Sequence, residues 1–279
     1  MKVHQQPAYL LRARPFAESS LMVDLFTREH GRLTVLAKGA RRGKSRVRGV
    51  LLPFLPLLAS WSGKGQLPTL TSVEARAAGP AGDGATVNSA TVNNATVNGG
   101  AMKGETLASG FYLNELLLLL LHRHDAHEAL FEHYHDAVAQ LAAAPSPRQV
   151  LHALRVFEKH FLRHIGFGAM FDRDADTGQA IDAQGQYRYL PERGPVRATA
   201  SHEADAVAET DALPVSGRTL HALRDEVFPS DVELREAQRL TRALIERQLG
   251  GRQLRSRRVL REMSRYGGGG GGSGGNGGG

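Results

Sequence analysis

Between residues 8 and 77 apolar side chains recur at every second position. Leu21, Val23 and Leu25 alternate with Met22, Asp24 and Phe26, and Leu33, Val35 and Ala37 keep the same period. A period of two belongs to strands whose two faces meet different surroundings. It predicts strands over 8–14, 20–27, 32–38, 49–59 and 66–74, with Gly31, Gly39, Gly43, Gly63 and Gly65 in the turns. Five short strands in so short a stretch suit a small closed barrel of the OB type, with an SH3-like barrel as the structural rival.

From residue 106 the period lengthens. Phe111, Leu113 and the run Leu116–Leu121 predict a largely buried helix, and Leu130, Phe131, Tyr134, Val138 and Leu141 a second with one apolar stripe. Ser146-Pro147-Arg148-Gln149 has the form of a capping box with proline at the first helical position. The helix that it opens is expected to bury Leu151, Leu154, Phe157 (or Val156), Phe161 and Ile165, and to end at Gly166. Residues 167–197 read as irregular, with a short hairpin around Gly185 and Tyr187–Leu190, and residues 198–212 as acidic and mobile. Helices resume near Ser216 and at Ser230, where Ser230-Asp231-Val232-Glu233 is a second capping box, and the last ends at Gly250-Gly251.

Two stretches offer little to bury. ATVN occurs three times from Ala85, in a segment of Gly, Ala, Asn and Thr, and the chain from Gly267 is almost pure glycine. The expected fold is α+β and multidomain. Residues 1–77 form a five-stranded OB-fold β-barrel, 78–105 a low-complexity linker or insertion, 106–266 a mostly α-helical domain with an irregular cysteine-free segment at 167–213, and 267–279 a disordered tail.

Charge sharpens this division. Residues 1–77 carry 13 Lys/Arg against 4 Asp/Glu, residues 78–213 carry 10 against 17, and residues 214–279 carry 12 against 7. The basic ends are the candidates for polyanion contact. Six cations and no acid lie between Lys38 and Arg48: Lys38, Arg41, Arg42, Lys44, Arg46 and Arg48. A glycine-punctuated basic loop leaving a hairpin can follow a phosphate backbone. Arg12 and Arg14 on the first strand belong to the same module, and Phe16, Phe26, Phe54 and Trp61 are the aromatics available for stacking on bases. A basic barrel alone does not tell DNA from RNA.

The absence of cysteine excludes disulfides, thiolate metal sites and cysteine nucleophiles. The start MKVHQQPAYLL lacks the apolar stretch of a signal peptide, and the longest aliphatic run is far shorter than the ~20 residues of a membrane span. A cytoplasmic protein is expected.

VDLFTREHGRLTVLAKGARRGKS, followed by GVLLPFLPLL, resembles the N-terminal domain of the bacterial recombination mediator family RecO. FYLNELL, LRVFEKHFLRHIGFG and LGGRQLRSR are similar to that family's helical region in order and spacing. The resemblance implies an OB-fold before a helical domain, binding of single- and double-stranded DNA, and annealing of complementary strands. It also implies partners: single-strand-binding protein (SSB), RecR and, indirectly, the RecA recombinase. It implies no enzymatic turnover, cofactor or membrane, and a place at the nucleoid. Many members carry a cysteine zinc finger after the GFG-like motif. Here the segment reads GFGAMFDRDADTGQA, so a zinc ribbon is excluded. SSB tails, by the same resemblance, end in a short acidic and apolar peptide. Arg155, Lys159 and Arg163, at i, i+4 and i+8 beside an apolar stripe, are the expected site for such a ligand. The rival reading is an OB-fold RNA-binding protein of translation or RNA processing.

Other constellations are weaker. His122, His124, His127, His133, His135, His160 and His164 cluster, but HFLRH has no carboxylate of an HExxH metal site. Asp172, Asp174 and Asp176 begin like a calcium loop yet lack its sixth-position glycine and later glutamate, so an acidic turn is expected. The arginines from Arg247 to Arg265 are either a second DNA contact or a solvated helix end. No P-loop or nucleophile elbow is present.

Overall fold

The computed structural model describes residues 2–76 except 44 and 66, residues 86–87, and residues 102–257 except 145, 168–169 and 199–211. The glycine tail and most of the ATVN segment therefore lie outside the described residues. No helix among the described residues is long and apolar enough to cross a membrane.

Five N-terminal strands, β1 (Lys2–Phe16), β2 (Ser20–Thr27), β3 (Gly31–Ala37), β4 (Leu57–Ser62) and β5 (Thr69–Arg76), form an OB-like antiparallel sheet in the order β3-β2-β1-β4-β5. A parallel bridge between Leu36 and Thr69 ties β3 to β5. Thr86–Val87, within the first ATVN copy, adds a two-residue strand β6 to β5. The strand expected over 49–59 is not formed as such. Arg46–Val50 makes a short helix α1 instead, and β4 starts only at Leu57. Pro53 and Pro56 explain the delay, since neither can donate to a ladder.

β1 serves two partners. Residues Lys2–Ala8 pair with β4, and Ala8–Phe16 pair with β2. Just past the change of partner at Ala8 the register slips, because Leu10 faces Leu25 whereas Arg12 faces Asp24, leaving Leu11 as an inserted bulge residue. All of Ala8–Leu11 is buried. Ala8 and Leu10 enter the core of the sheet with Val23, Leu25, Leu33, Val35 and Trp61, while Tyr9 and Leu11 enter the core of the helical region.

That region holds α2 (Gly104–Leu120), α3 (Glu128–Ala143), α4 (Pro147–His164), α5 (Gly217–Asp225) and α6 (Asp231–Leu249). α2 is apolar around most of its circumference because β1, α3, α4 and α6 all pack on it. Ser146 caps α4 and accepts the Gln149 N–H, Ser230 and Glu233 close the expected capping box on α6, and Gly250 ends that helix with φ 55°. The segment read as irregular contains a three-stranded sheet of β7 (Gln186–Leu190), β8 (Gly194–Arg197) and β9 (Leu213–Ser216). Its hairpin turns after Leu190 rather than at Gly185.

The buried face of α4 differs from the expected stripe. Leu154, Phe157 and Phe161 are buried, Leu151 and Ile165 only partly, and Arg155 and Glu158 share the interior. Glu158 accepts hydrogen bonds from Arg155 (2.7 Å), Tyr112 (2.6 Å) and Thr241 (2.5 Å). An ion pair closed by two hydroxyls satisfies charges that the apolar pattern could not reveal.

The two units share a polar seam. Asn114 on α2 donates to the carbonyls of Leu10 (3.4 Å) and Leu11 (3.2 Å) and accepts from the Tyr134 hydroxyl (2.5 Å), all buried. Phe54, with φ 64°, lies against Gly110 of α2, where an added Cβ would meet the ring at 2.8 Å. Replacing Asn114 by Ala strands two carbonyls and a hydroxyl in a buried seam. The expected cost is about 3 kcal/mol, read as a lower urea midpoint with an unchanged slope.

Candidate nucleic-acid interface

The β2–β3 hairpin has two ends with opposite uses of charge. Its turn end docks on the helical region. There Arg28 pairs with Glu132 (3.0 Å), Arg32 donates to the Leu121 carbonyl (3.1 Å), and Gly31 (φ 61°) lies so close to Asp125 that a Cβ would overlap its carbonyl at 1.8 Å. The other end, roughly 23 Å away along seven residues of strand, carries the β1–β2 turn and the basic loop.

Ala40 is fully buried in the sheet core and anchors that loop. Gly39 adopts φ 69°, and the Arg42 N–H donates to its carbonyl (3.1 Å). Arg41 is fixed to the neighbouring turn twice. Its N–H donates to the Ser19 carbonyl and its Nη1 to the Ala17 carbonyl, both at 2.9 Å. Lys38, Arg41, Arg42, Arg46 and Arg48 are exposed, and none forms an ion pair with an acid among the described residues. Lys44 lies outside the described residues. The exposed Lys64 joins this end of β3, because the Leu36 N–H donates to the Pro68 carbonyl at 2.8 Å in the β4–β5 turn.

Arg12 and Arg14 stand two residues apart on one face of β1. Both converge on buried Asp24, Arg12 at 2.9 Å and Arg14 at 3.6 Å, and Thr34 donates to the same carboxylate at 2.6 Å. Their charge is thus partly neutralised, unlike that of the loop. Asp24 was not singled out from the sequence, although an acid inside the strand LMVDLF is the signal that could have found it. Of the four aromatics, Phe26, Phe54 and Trp61 are core residues, and only Phe16, 41% exposed, presents its ring to solvent.

The α4 residues do not make one solvated basic line. Arg155 is 4% exposed and bound to Glu158, and Lys159 donates to Glu226 (2.7 Å) and the Arg224 carbonyl (2.8 Å). Arg163 alone is exposed. The reason is that α3, α5 and α6 all cover α4. Arg155 nevertheless keeps two buried nitrogens, Nε and Nη1, without a hydrogen-bond partner among the described residues.

Three of the C-terminal arginines are engaged in structure. Arg252 donates to the carbonyls of Leu249 and Leu119, Arg247 pairs with Glu192, and Arg257 pairs with Glu246 and lies 5.4 Å over the Tyr112 ring. Arg258, Arg261 and Arg265 lie outside the described residues. In the acidic turn, Asp174 accepts from the N–H groups of Asp176, Thr177 and Arg197. Burial pushes its pKa up, but these donors outweigh burial and hold it below the usual carboxylate range. Asp176 instead turns to Arg193, so the carboxylates diverge. No group of three metal-ligating side chains is arranged to hold an ion among the described residues.

Residues 1–78 match the family model "Recombination protein O N terminal", and residues 103–258 match "Recombination protein O C terminal". The chain belongs to the RecO family. It is 40% identical to the DNA repair protein RecO of Aromatoleum aromaticum, covering 94% of this chain and 97% of that protein. It is 40% identical to the DNA repair protein RecO of Thiobacillus denitrificans (94% and 93% covered) and 41% identical to that of Methylococcus capsulatus (92% and 93%). The N-terminal RecO match contains the whole OB-like sheet and its basic loop, and the C-terminal match contains the five long helices.

The clustered histidines have a packing consequence. His133 and His160 stack with ring centroids 3.5 Å apart, His164 lies 6.2 Å from His133, and His160 donates to Glu226. Burial holds the pKa values of all three imidazoles down, outweighing the attraction of Glu226 for His133 and His160. Folded pKa values below the unfolded value of about 6.5 mean that the unfolded chain takes up protons first as the pH falls. Stability from this cluster is therefore present above that value and lost on acidification below it. A melting temperature that falls from neutral pH towards pH ~5.5, with a shallower fall in a His133→Gln/His160→Gln variant, is the expected result.

Proposed function

We propose that this protein is a DNA-binding mediator of recombinational repair. It binds single- and double-stranded DNA through the free end of the OB-like sheet, anneals complementary strands, and with RecR helps to load RecA onto SSB-coated strands in the cytoplasm, at the nucleoid. The observation that carries this reading is the acid-free set of exposed cations Lys38, Arg41 and Arg42 on the loop after β3, with Arg41 fixed to the β1–β2 turn, followed by Arg46 and Arg48 on α1. Membership of a family whose relatives are named DNA repair proteins favours DNA over RNA. Phosphate contacts from such a loop supply a salt-dependent affinity indifferent to sequence, which suits a protein that must act on any strand.

The role is one of binding and handing over rather than turnover. Annealing of complementary strands coated with SSB, with and without the protein, tests it, and an unaltered annealing rate would overturn it. RNA competitors that displace the DNA at equal concentration would instead favour the RNA-binding alternative.

Changing Arg41, Arg42, Lys44 and Arg46 together to Ala is expected to weaken single-strand binding without unfolding the protein. Each lost phosphate contact removes about 0.7 from the slope of log K against log salt. A titration of salt against oligo-dT measures this directly.

We also propose that α4 receives the acidic SSB tail, with Arg155, Lys159 and Arg163 contributing. Support comes from the exposed Arg163 on this helix and from the two Arg155 nitrogens without a hydrogen-bond partner among the described residues, which a carboxylate reaching them would satisfy. Because Arg155 is buried beside Glu158, Arg155→Met is the cleaner variant. It keeps the volume and leaves Glu158 its hydroxyl donors. Loss of tail-peptide binding with naked-strand binding retained is expected in a peptide titration.

A further inference from the structure

We infer that the ring of Phe16 is a nucleobase-stacking platform that makes this surface prefer unpaired strands to duplex. This rests on the nucleic-acid reading above and names what that reading leaves open, the feature that distinguishes one strand from two.

Phe16 is 41% exposed at the end of β1 and has no ring partner among the described residues. The other phenylalanines and the tryptophan of the sheet are buried. The ring is held out by rigid chain. Pro15 precedes it with a locked φ, and Ala17 follows at φ 51°, a left-handed conformation that a non-glycine residue adopts only under tertiary constraint. The constraint is visible, since the Ala17 carbonyl accepts from Arg41 of the basic loop at 2.9 Å. The loop that would hold phosphates thus fixes the turn that presents the ring.

Behind Phe16 the same face of β1 carries Arg14 and Arg12 at two-residue spacing, clamped by Asp24. A backbone lying along these cations and the loop brings its bases to the ring. In a duplex each base face is already covered by its neighbours, so the ring gains a partner only from an unpaired base. Phosphate contacts are available to both forms and do not discriminate.

The test uses the full chain with Phe16→Ala, Phe16→Leu and Phe16→Trp. Phe16→Ala is expected to weaken oligo-dT binding about tenfold and to leave duplex binding within about twofold. Phe16→Leu should behave like Phe16→Ala, because an aliphatic side chain offers contact but no stacking. Phe16→Trp should restore dT affinity and show emission quenched by dT but not by duplex or inorganic polyphosphate, against the constant background of buried Trp61. Equal losses on both DNA forms, no loss on either, or Trp emission unmoved by saturating dT would overturn the inference alone. A wild-type protein that binds neither form would overturn the parent reading as well. Melting temperatures matching the wild type confirm that each variant is folded.

Discussion

The arrangement of this molecule depends on one inserted residue. Leu11 is the bulge in β1, three residues after Ala8 where the strand passes from β4 to β2, and around it side chains are buried on both faces. A regular strand would offer its carbonyls to the sheet alone. At the bulge the carbonyls of Leu10 and Leu11 accept hydrogen bonds from Asn114 of α2, itself held by Tyr134 of α3. Tyr9 and Leu11 then pack with Phe131, Tyr134 and Leu117, so the sheet and the helices share apolar surface as well as a polar seam. The orientation of the OB-like sheet follows from this fastening.

Once the sheet is fastened, the two ends of the β2–β3 hairpin separate by charge. Arginines at the docked end are consumed by Glu132 and by the Leu121 carbonyl. Arg12 and Arg14, midway, are shared with Asp24. Beyond the last ladder pairs, Lys38, Arg41, Arg42, Arg46 and Arg48 have no acid partner among the described residues. A polyanion competes poorly for a guanidinium already held by a carboxylate, so under the proposed function affinity and salt sensitivity would concentrate at the free end. Arg41 belongs to both descriptions, with part of its guanidinium fixing the Ala17 carbonyl while the side chain stays exposed.

The helical region follows the opposite economy. Glu158 gathers Arg155, Tyr112 and Thr241 from three helices around one carboxylate, and Asp174 gathers three backbone N–H groups across the cysteine-free turn. A single buried aspartate fastens the turn to β8, where it accepts the Arg197 N–H. Each hub satisfies its oxygens locally, which is the condition for placing a carboxylate inside a core.

The sequence by itself determined the strands of the hairpin, the helices with their caps at Ser146 and Ser230, the stop at Gly250, and the basic loop, because each is set by periodicity or by a side chain acting within a few residues. It also carried the family resemblance, through motifs spread along the foldable chain. The exchange of a strand for α1 before Pro53, the pairing of β9 with β7, and the burial of Arg155 were decided by tertiary structure. Periodicity registers which residues are apolar and not which charges will meet a partner from a distant helix. Glu158 lies three residues from Arg155 but needs Thr241 to complete its site, and Asp24 needs Thr34 across the hairpin. The same limit hid which aromatic stays exposed. Phe16, Phe26, Phe54 and Trp61 look alike in the chain, and only the bulge, the docked helices and the strained turn at Ala17 separate the one from the other three.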